Sequence, residues 1–98
     1  MAYLGATTVA ASATTTFDTA TYPSLSGLES CSYHTISIGG SGTATIRFKH
    51  ADQASFQDAA TGVSGDYDTY LIRGATEIQV EETGGANSVI VSITSFEE

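Results

Sequence analysis

Gly39-Gly40-Ser41-Gly42, running into Thr43-Ala44-Thr45-Ile46-Arg47-Phe48-Lys49-His50, is a turn followed by the cleanest alternation in the chain. Successive side chains of a strand point to opposite faces, so Ala44, Ile46, Phe48 and His50 share one side and Thr43, Thr45, Arg47 and Lys49 the other. The glycine cluster before them reads as a hairpin. Downstream, Glu77-Ile78-Gln79-Val80-Glu81 repeats the pattern with Ile78 and Val80 inward. Thr83-Gly84-Gly85-Ala86-Asn87 reads as a second hairpin, and Ser88 to Phe96 sets Val89, Val91 and Ile93 against Ile90, Ser92, Thr94 and Phe96.

The remaining segments are shorter. Leu28 to Ile38 is a strand with Cys31, Tyr33, Ile36 and Ile38 as its bulky positions; the change of parity between Tyr33 and Ile36 predicts a bulge or a strand buried on both faces. Residues 51–60 fit a short helical turn or an irregular strand, 61–66 a loop, and Tyr67 to Arg73 a strand. Thr14 to Thr19 has strand composition, and the turn-rich stretch from Tyr22 to Gly27 holds the only proline. No segment keeps a helical period. Seven or eight short strands with frequent turns predict an all-β protein, an antiparallel β-sandwich or jelly roll. Residues 14–98 form its single domain, and residues 1–13 an N-terminal arm or edge strand.

Composition narrows the function classes. Three basic and 11 acidic residues give a net charge of −8 over 98 residues. Three cations are too few to neutralise the phosphates that nucleic-acid binders cover, and an anionic membrane is disfavoured likewise. The chain holds 15 Thr and 12 Ser, which displace charge: only 14% of residues are charged, against about 25% in an ordinary soluble domain. A β-branched, hydroxyl-rich surface suits a pleated sheet and costs little to desolvate. No targeting segment or membrane span is visible, so synthesis in a cytoplasm is expected.

No constellation spells out a chemistry. His34 and His50 with Asp52 or Asp58 fall short of the ligand spacing of a zinc site and read as ordinary polar or half-buried residues. Asp66-Tyr67-Asp68 lacks the length and closing glutamate of a calcium loop. The single Cys31 has no base on its own strand face and reads as a small buried hydrophobe. Glu81-Glu82 straddles a sheet face at a strand end, and Glu97-Glu98 is solvated terminal charge. No catalytic residue, cofactor or metal is expected. Assembly remains, with Tyr3, Leu4 and Val9 near the N-terminus, and Tyr22, Phe56, Tyr67 and Tyr70, as candidate interface residues. A different reading makes Tyr22, Tyr33, Tyr67 and Tyr70 a stacking platform for sugars.

The run from Gly42 to His50, then Phe56-Gln57-Asp58-Ala59, a Tyr-bearing strand and the closing strand from Ser88 to Phe96 resemble small β-sandwich virion proteins of tailed bacteriophages, of the head decoration or cement type. The likeness covers roughly residues 36–96, with Phe56 where members often carry tryptophan. It implies a non-enzymatic structural protein on the outer surface of a virion, a homo-oligomer (a trimer) bridging copies of the major capsid protein or another virion protein. The alternative is a carbohydrate- or receptor-binding β-module of a phage tail or cell-surface appendage.

Overall fold

The structure, a computed structural model, describes residues 2–18, 20–22, 33–50, 53–64, 68–73 and 75–96. They form eight strands: β1 (Ala2–Val9), β2 (Thr14–Phe17), β3 (Tyr33–Gly40), β4 (Thr43–Lys49), β5 (Gln57–Ser64), β6 (Asp68–Arg73), β7 (Glu77–Glu82) and β8 (Val89–Phe96). Two four-stranded sheets run in the orders β1-β8-β3-β6 and β2-β7-β4-β5, and every pairing is antiparallel. Only β4 and β5 are neighbours both in sequence and in a sheet. The chain otherwise crosses from one sheet to the other between consecutive strands, which is the winding of a jelly roll.

The core lies between the sheets. Val9, Ile36, Ile38, Val89, Val91 and Ile93 face Phe17, Ala44, Ile46, Val63, Ile78 and Val80, all buried. Period-two alternation puts them there: β3 buries His34, Ile36 and Ile38; β7 buries Ile78, Val80 and Glu82; β8 buries Val89, Val91, Ile93 and Ser95. Burial of one such Val or Ile side chain contributes roughly 1.5–3 kcal/mol, so the inward parity of a strand is strongly specified.

Four local expectations need correction. Both glycine-rich turns are corners between sheets and not hairpins, since β3 does not pair with β4, nor β7 with β8. A turn signal marks a reversal, but two strands that each need a dry face can also meet across the core. Gly42 shows how tight the corner is: a Cβ there would sit 2.8 Å from the carbonyl oxygens of Asn87 and Ser88 and from Val89 Cγ1. Secondly, β3 keeps continuous register with both β6 and β8, with no bulge; His34, not Tyr33, takes the inward position, and the parity change disappears. Thirdly, residues 61–64 belong to β5 and not to a loop. Ala44 and Ile46, two apart, face Val63 and Ala60, three apart, so β5 carries an extra residue beside Gly62 at φ +65°. A second irregularity lies between Ile46 and Arg47, and such bulges blunt an exposed edge. Finally, Val9 is fully buried between the sheets and does not belong to a surface.

Candidate functional site

The two outer faces of the sandwich differ in kind. On β2-β7-β4-β5, Arg47 stands at the centre of a polar ladder. Its Nε donates to Asp58 at 3.0 Å, one terminal nitrogen to Glu81 at 2.8 Å and the other to Gln79 at 3.3 Å, while Gln79 donates to Thr16. Lys49 pairs with Glu77 at 2.8 Å and lies 5.6 Å from the centre of the Phe56 ring. These ion pairs are partly exposed, and each contributes up to about 1 kcal/mol. They cover this face with charge that is already paired.

On the outer face of β1-β8-β3-β6, the described side chains of β1, β8 and β3 carry no charge, while on β6 register sets Arg73 opposite Tyr33. Register aligns it in rows: Phe96 beside Tyr33; Tyr3, Thr94 and Thr35; Ser92 and Ser37; Thr8, Ile90 and Gly39. Tyr33 and Phe96 stack with ring centres 5.7 Å apart. Tyr3, 58% exposed, and Ile90, 41% exposed, are the large hydrophobic side chains most open to solvent among the described residues, and both sit here. The β1 bulge between Leu4 and Thr7 leaves Ala6 exposed beside them. Ala6, Ser37, Gly39, Ser92 and Ile90 line a hollow of about 430 Å³.

Titratable groups inside the sandwich are tied down. Glu82, at the inward parity of β7, is buried, and its carboxylate accepts four backbone N–H bonds: from Ser12 at 3.0 Å, Thr43 at 2.9 Å, Gly84 at 2.8 Å and Gly85 at 2.7 Å. Those amides come from the β1–β2 connection, the first residue of β4 and the β7–β8 connection, so one side chain closes one end of the molecule. Ser12 adopts φ +63°, left-handed for a non-glycine residue, and its amide is one of those that Glu82 takes. The bonds from Ser12, Thr43 and Gly85 lower the Glu82 pKa from 4.5 to about 2, against the opposing effect of burial.

His34 is buried between Ser95 Oγ, 2.8 Å from Nδ1, and the Ala75 carbonyl oxygen, 2.7 Å from Nε2. A carbonyl only accepts, so Nε2 carries the proton, and Nδ1 accepts from the serine hydroxyl. Burial pushes its pKa below 6.5, the bond to Ala75 opposes this, and the charge of His50 adds to the lowering. The pair is a satisfied core contact with no room for a reacting group.

The expected interface residues do not converge. Tyr3 lies on the outer face of β1-β8-β3-β6 with Leu4 half-buried beside it; Tyr22 packs on Phe17 with ring centres 5.0 Å apart; Phe56 sits under Lys49 near the opposite sheet. Tyr70 belongs to β6, opposite Ile36, and Tyr67 lies outside the described residues, as do Cys31, Asp52 and Asp66. The described residues contain no group of three His, Cys, Asp or Glu side chains able to hold a metal. No helix among them is long and apolar enough to cross a membrane. Sequence reasoning named His34 only as an ordinary polar or half-buried residue and Glu82 only as a strand end, and passed over Ser95, although each stands at the inward parity of its strand. An acid at such a position just before Gly84-Gly85 is the signal that marks Glu82.

No protein-family model and no curated protein matches the chain. A solved structure of Bacillus endospore appendages, described as a novel family of disulfide-linked pili, is similar over 98% of this chain and 90% of its own, with a TM-score of 0.46 and 13% identity. That protein belongs to a bacterial appendage and not to a bacteriophage particle. The expectation of a bacteriophage virion and capsid decoration protein is corrected accordingly.

Proposed function

We propose that this chain is a non-catalytic structural β-module of a cell-surface appendage, working by protein contact through the outer face of β1-β8-β3-β6. The observation that carries the reading is the asymmetry of the two faces. Tyr3 and Ile90 are exposed where β1, β8 and β3 present Thr, Ser and Gly, with Arg73 of β6 at the margin opposite Tyr33, while the opposite face carries Arg47, Lys49, Glu77, Glu81 and Asp58. Interface centres are depleted in charge because a buried ion loses hydration that hydroxyl and apolar groups never had to the same degree. Gold-labelled antibody against the chain, applied to intact source cells, is expected to decorate an external structure. Label confined to the cytoplasm overturns the reading.

The exposed Tyr3 ring favours a second reading, a module that binds a carbohydrate on the same face by stacking. A glycan array distinguishes it: specific binding lost in Tyr3→Ala supports the sugar, and silence leaves protein contact.

A further inference from the structure

We propose that His34 and His50, the two histidines of the chain, form a mild-acid switch inside the sandwich. Charging them opens the end at which residues 75–76 cross between the sheets, while Glu82 keeps the opposite end closed. The switch is internal and does not depend on which outer face makes contacts.

The two ends of the sandwich are held by different chemistry. At one end the Glu82 carboxylate gathers the amides of Ser12, Thr43, Gly84 and Gly85. At the other end the β6–β7 connection passes from one sheet to the other, and two consecutive residues tie it down. The Ala75 carbonyl accepts from His34 Nε2 of β3 at 2.7 Å. Thr76 donates to the Lys49 carbonyl of β4, through its amide at 2.9 Å and its hydroxyl at 3.1 Å. His34 is thus the described side chain that bonds this crossing to β1-β8-β3-β6. His50 follows β4 directly, at the inward parity of Ala44, Ile46 and Phe48, and its ring meets Phe48 edge-on with centres 5.5 Å apart. The two imidazoles therefore approach the same crossing from opposite sheets.

A second proton on His34 goes to Nδ1, which accepts from Ser95 Oγ at 2.8 Å in the neutral form. The serine oxygen must then accept, and its own hydrogen loses that partner. Enclosing the charge costs more, because the ring is fully buried. No described carboxylate bonds it. Glu77 is held by Lys49, Asp58 and Glu81 by Arg47, and Asp18, just past β2, accepts from the Thr21 amide. On β6, register sets Ile72 opposite His34, Arg73 opposite Tyr33, Tyr70 opposite Ile36 and Asp68 opposite Ile38, four residues along β3 from the histidine. Burial pushes the His34 pKa below 6.5, the Ala75 bond opposes this, and the charge of His50 adds to the lowering. A group whose pKa is lowered in the closed form favours closure above about 6.5 and opening below it. Water that reaches the ring removes the penalty, and freeing the 75–76 crossing admits water without parting the rest of the core.

Amide hydrogen exchange of the full 98-residue chain, resolved by NMR and corrected for the intrinsic pH dependence of exchange, tests the switch. Protection of the Thr76 amide is expected to fall at least about threefold from about pH 7.5 to about pH 5. At the lower pH, urea below the unfolding transition is expected to leave Thr76 unaffected, because a local opening exposes little surface. The Gly42 and Thr83 amides, bonded to Ser88 and Thr43 at the Glu82 end, should be better protected and should follow urea with global unfolding. His34→Gln is expected to abolish the pH effect at Thr76, and His50→Gln, at a half-buried position, to lessen it. If His34→Gln does not fold, the pH and urea comparison in the wild type still decides. Protection at Thr76 that ignores pH, or that depends on urea as Gly42 and Thr83 do, overturns the switch. So does a fall that persists in folded His34→Gln or is undiminished in His50→Gln.

Discussion

Replacing Glu82 with glutamine preserves the size of the side chain but turns one acceptor oxygen into a donor NH2, which faces backbone amides that also donate. At least one of the four bonds from Ser12, Thr43, Gly84 and Gly85 is then lost. Glu82→Gln is expected to lower Tm by roughly 10 °C, measured by thermal circular dichroism, because hydrogen bonds to a charged group are worth more than neutral ones. Acid has the same target. The carboxyl titrates at about 2 when folded and near 4.5 when unfolded, so its stabilisation is complete above 4.5 and disappears as pH falls toward about 2. Urea midpoints of the wild type should fall through that window, and those of Glu82→Gln should lose this share of the slope. His34 acts in a separate window. Its pKa is lowered in the fold, so below about 6.5 the unfolded chain binds a proton that the buried ring refuses, and stability falls with pH. His34→Leu should flatten the urea midpoint between about pH 7 and about pH 5, at an overall cost of about 1–3 kcal/mol from leaving the Ala75 carbonyl unpaired. An unchanged slope in the variant counts against His34 as its source.

At the scale of elements, the corner between β3 and β4 is the most demanding join. Gly42→Ala places a methyl group 2.8 Å from two carbonyl oxygens of the 83–88 connection and from Val89, and backbone cannot swing aside as a side-chain tip can. It is expected to destabilise by about 1–3 kcal/mol in urea titration, whereas Gly39→Ala, with open space, should be neutral or slightly stabilising. Equal effects would mean that the corner is looser than its geometry. These joins also show which parts of the fold were legible in advance. The inner faces of β4, β7 and β8 follow from alternation, because a strand's burial pattern is written in its own residues. The partner of each strand is not, since Gly39-Gly40-Ser41-Gly42 signals a reversal equally well within a sheet or between two.

For the molecule as a whole, β1 decides whether the N-terminal segment is an arm or part of the sandwich. It pairs with β8 from Ala2 to Val9, and Val9 is fully buried in the core. Removing residues 2–9 opens a gap at Val9 and leaves β8 an unpaired edge. We expect the shortened chain to lose its cooperative thermal transition, as followed by circular dichroism. A transition near that of the full chain would make β1 a dispensable arm. The distribution of charge is also a property of this scale. Arg47 and Lys49 alternate outward on β4 as their spacing requires, but their neutralisation by Asp58, Glu81 and Glu77 depends on β5 and β7 flanking that strand.

Alternation, turn residues and the scarcity of charge were enough to establish two layers of antiparallel strands with a dry interior and a hydroxyl-rich exterior, because each is a local choice made by neighbouring residues. Tertiary pairing alone decided that the strands wind as a jelly roll, that Glu82 and His34 are held inside, and that Tyr3, Ile90 and Ala6 share one outer face. Those outcomes join residues up to some 90 positions apart. Contacts over that span depend on which sheet each strand enters, and neither the period nor the composition of a single segment carries that choice.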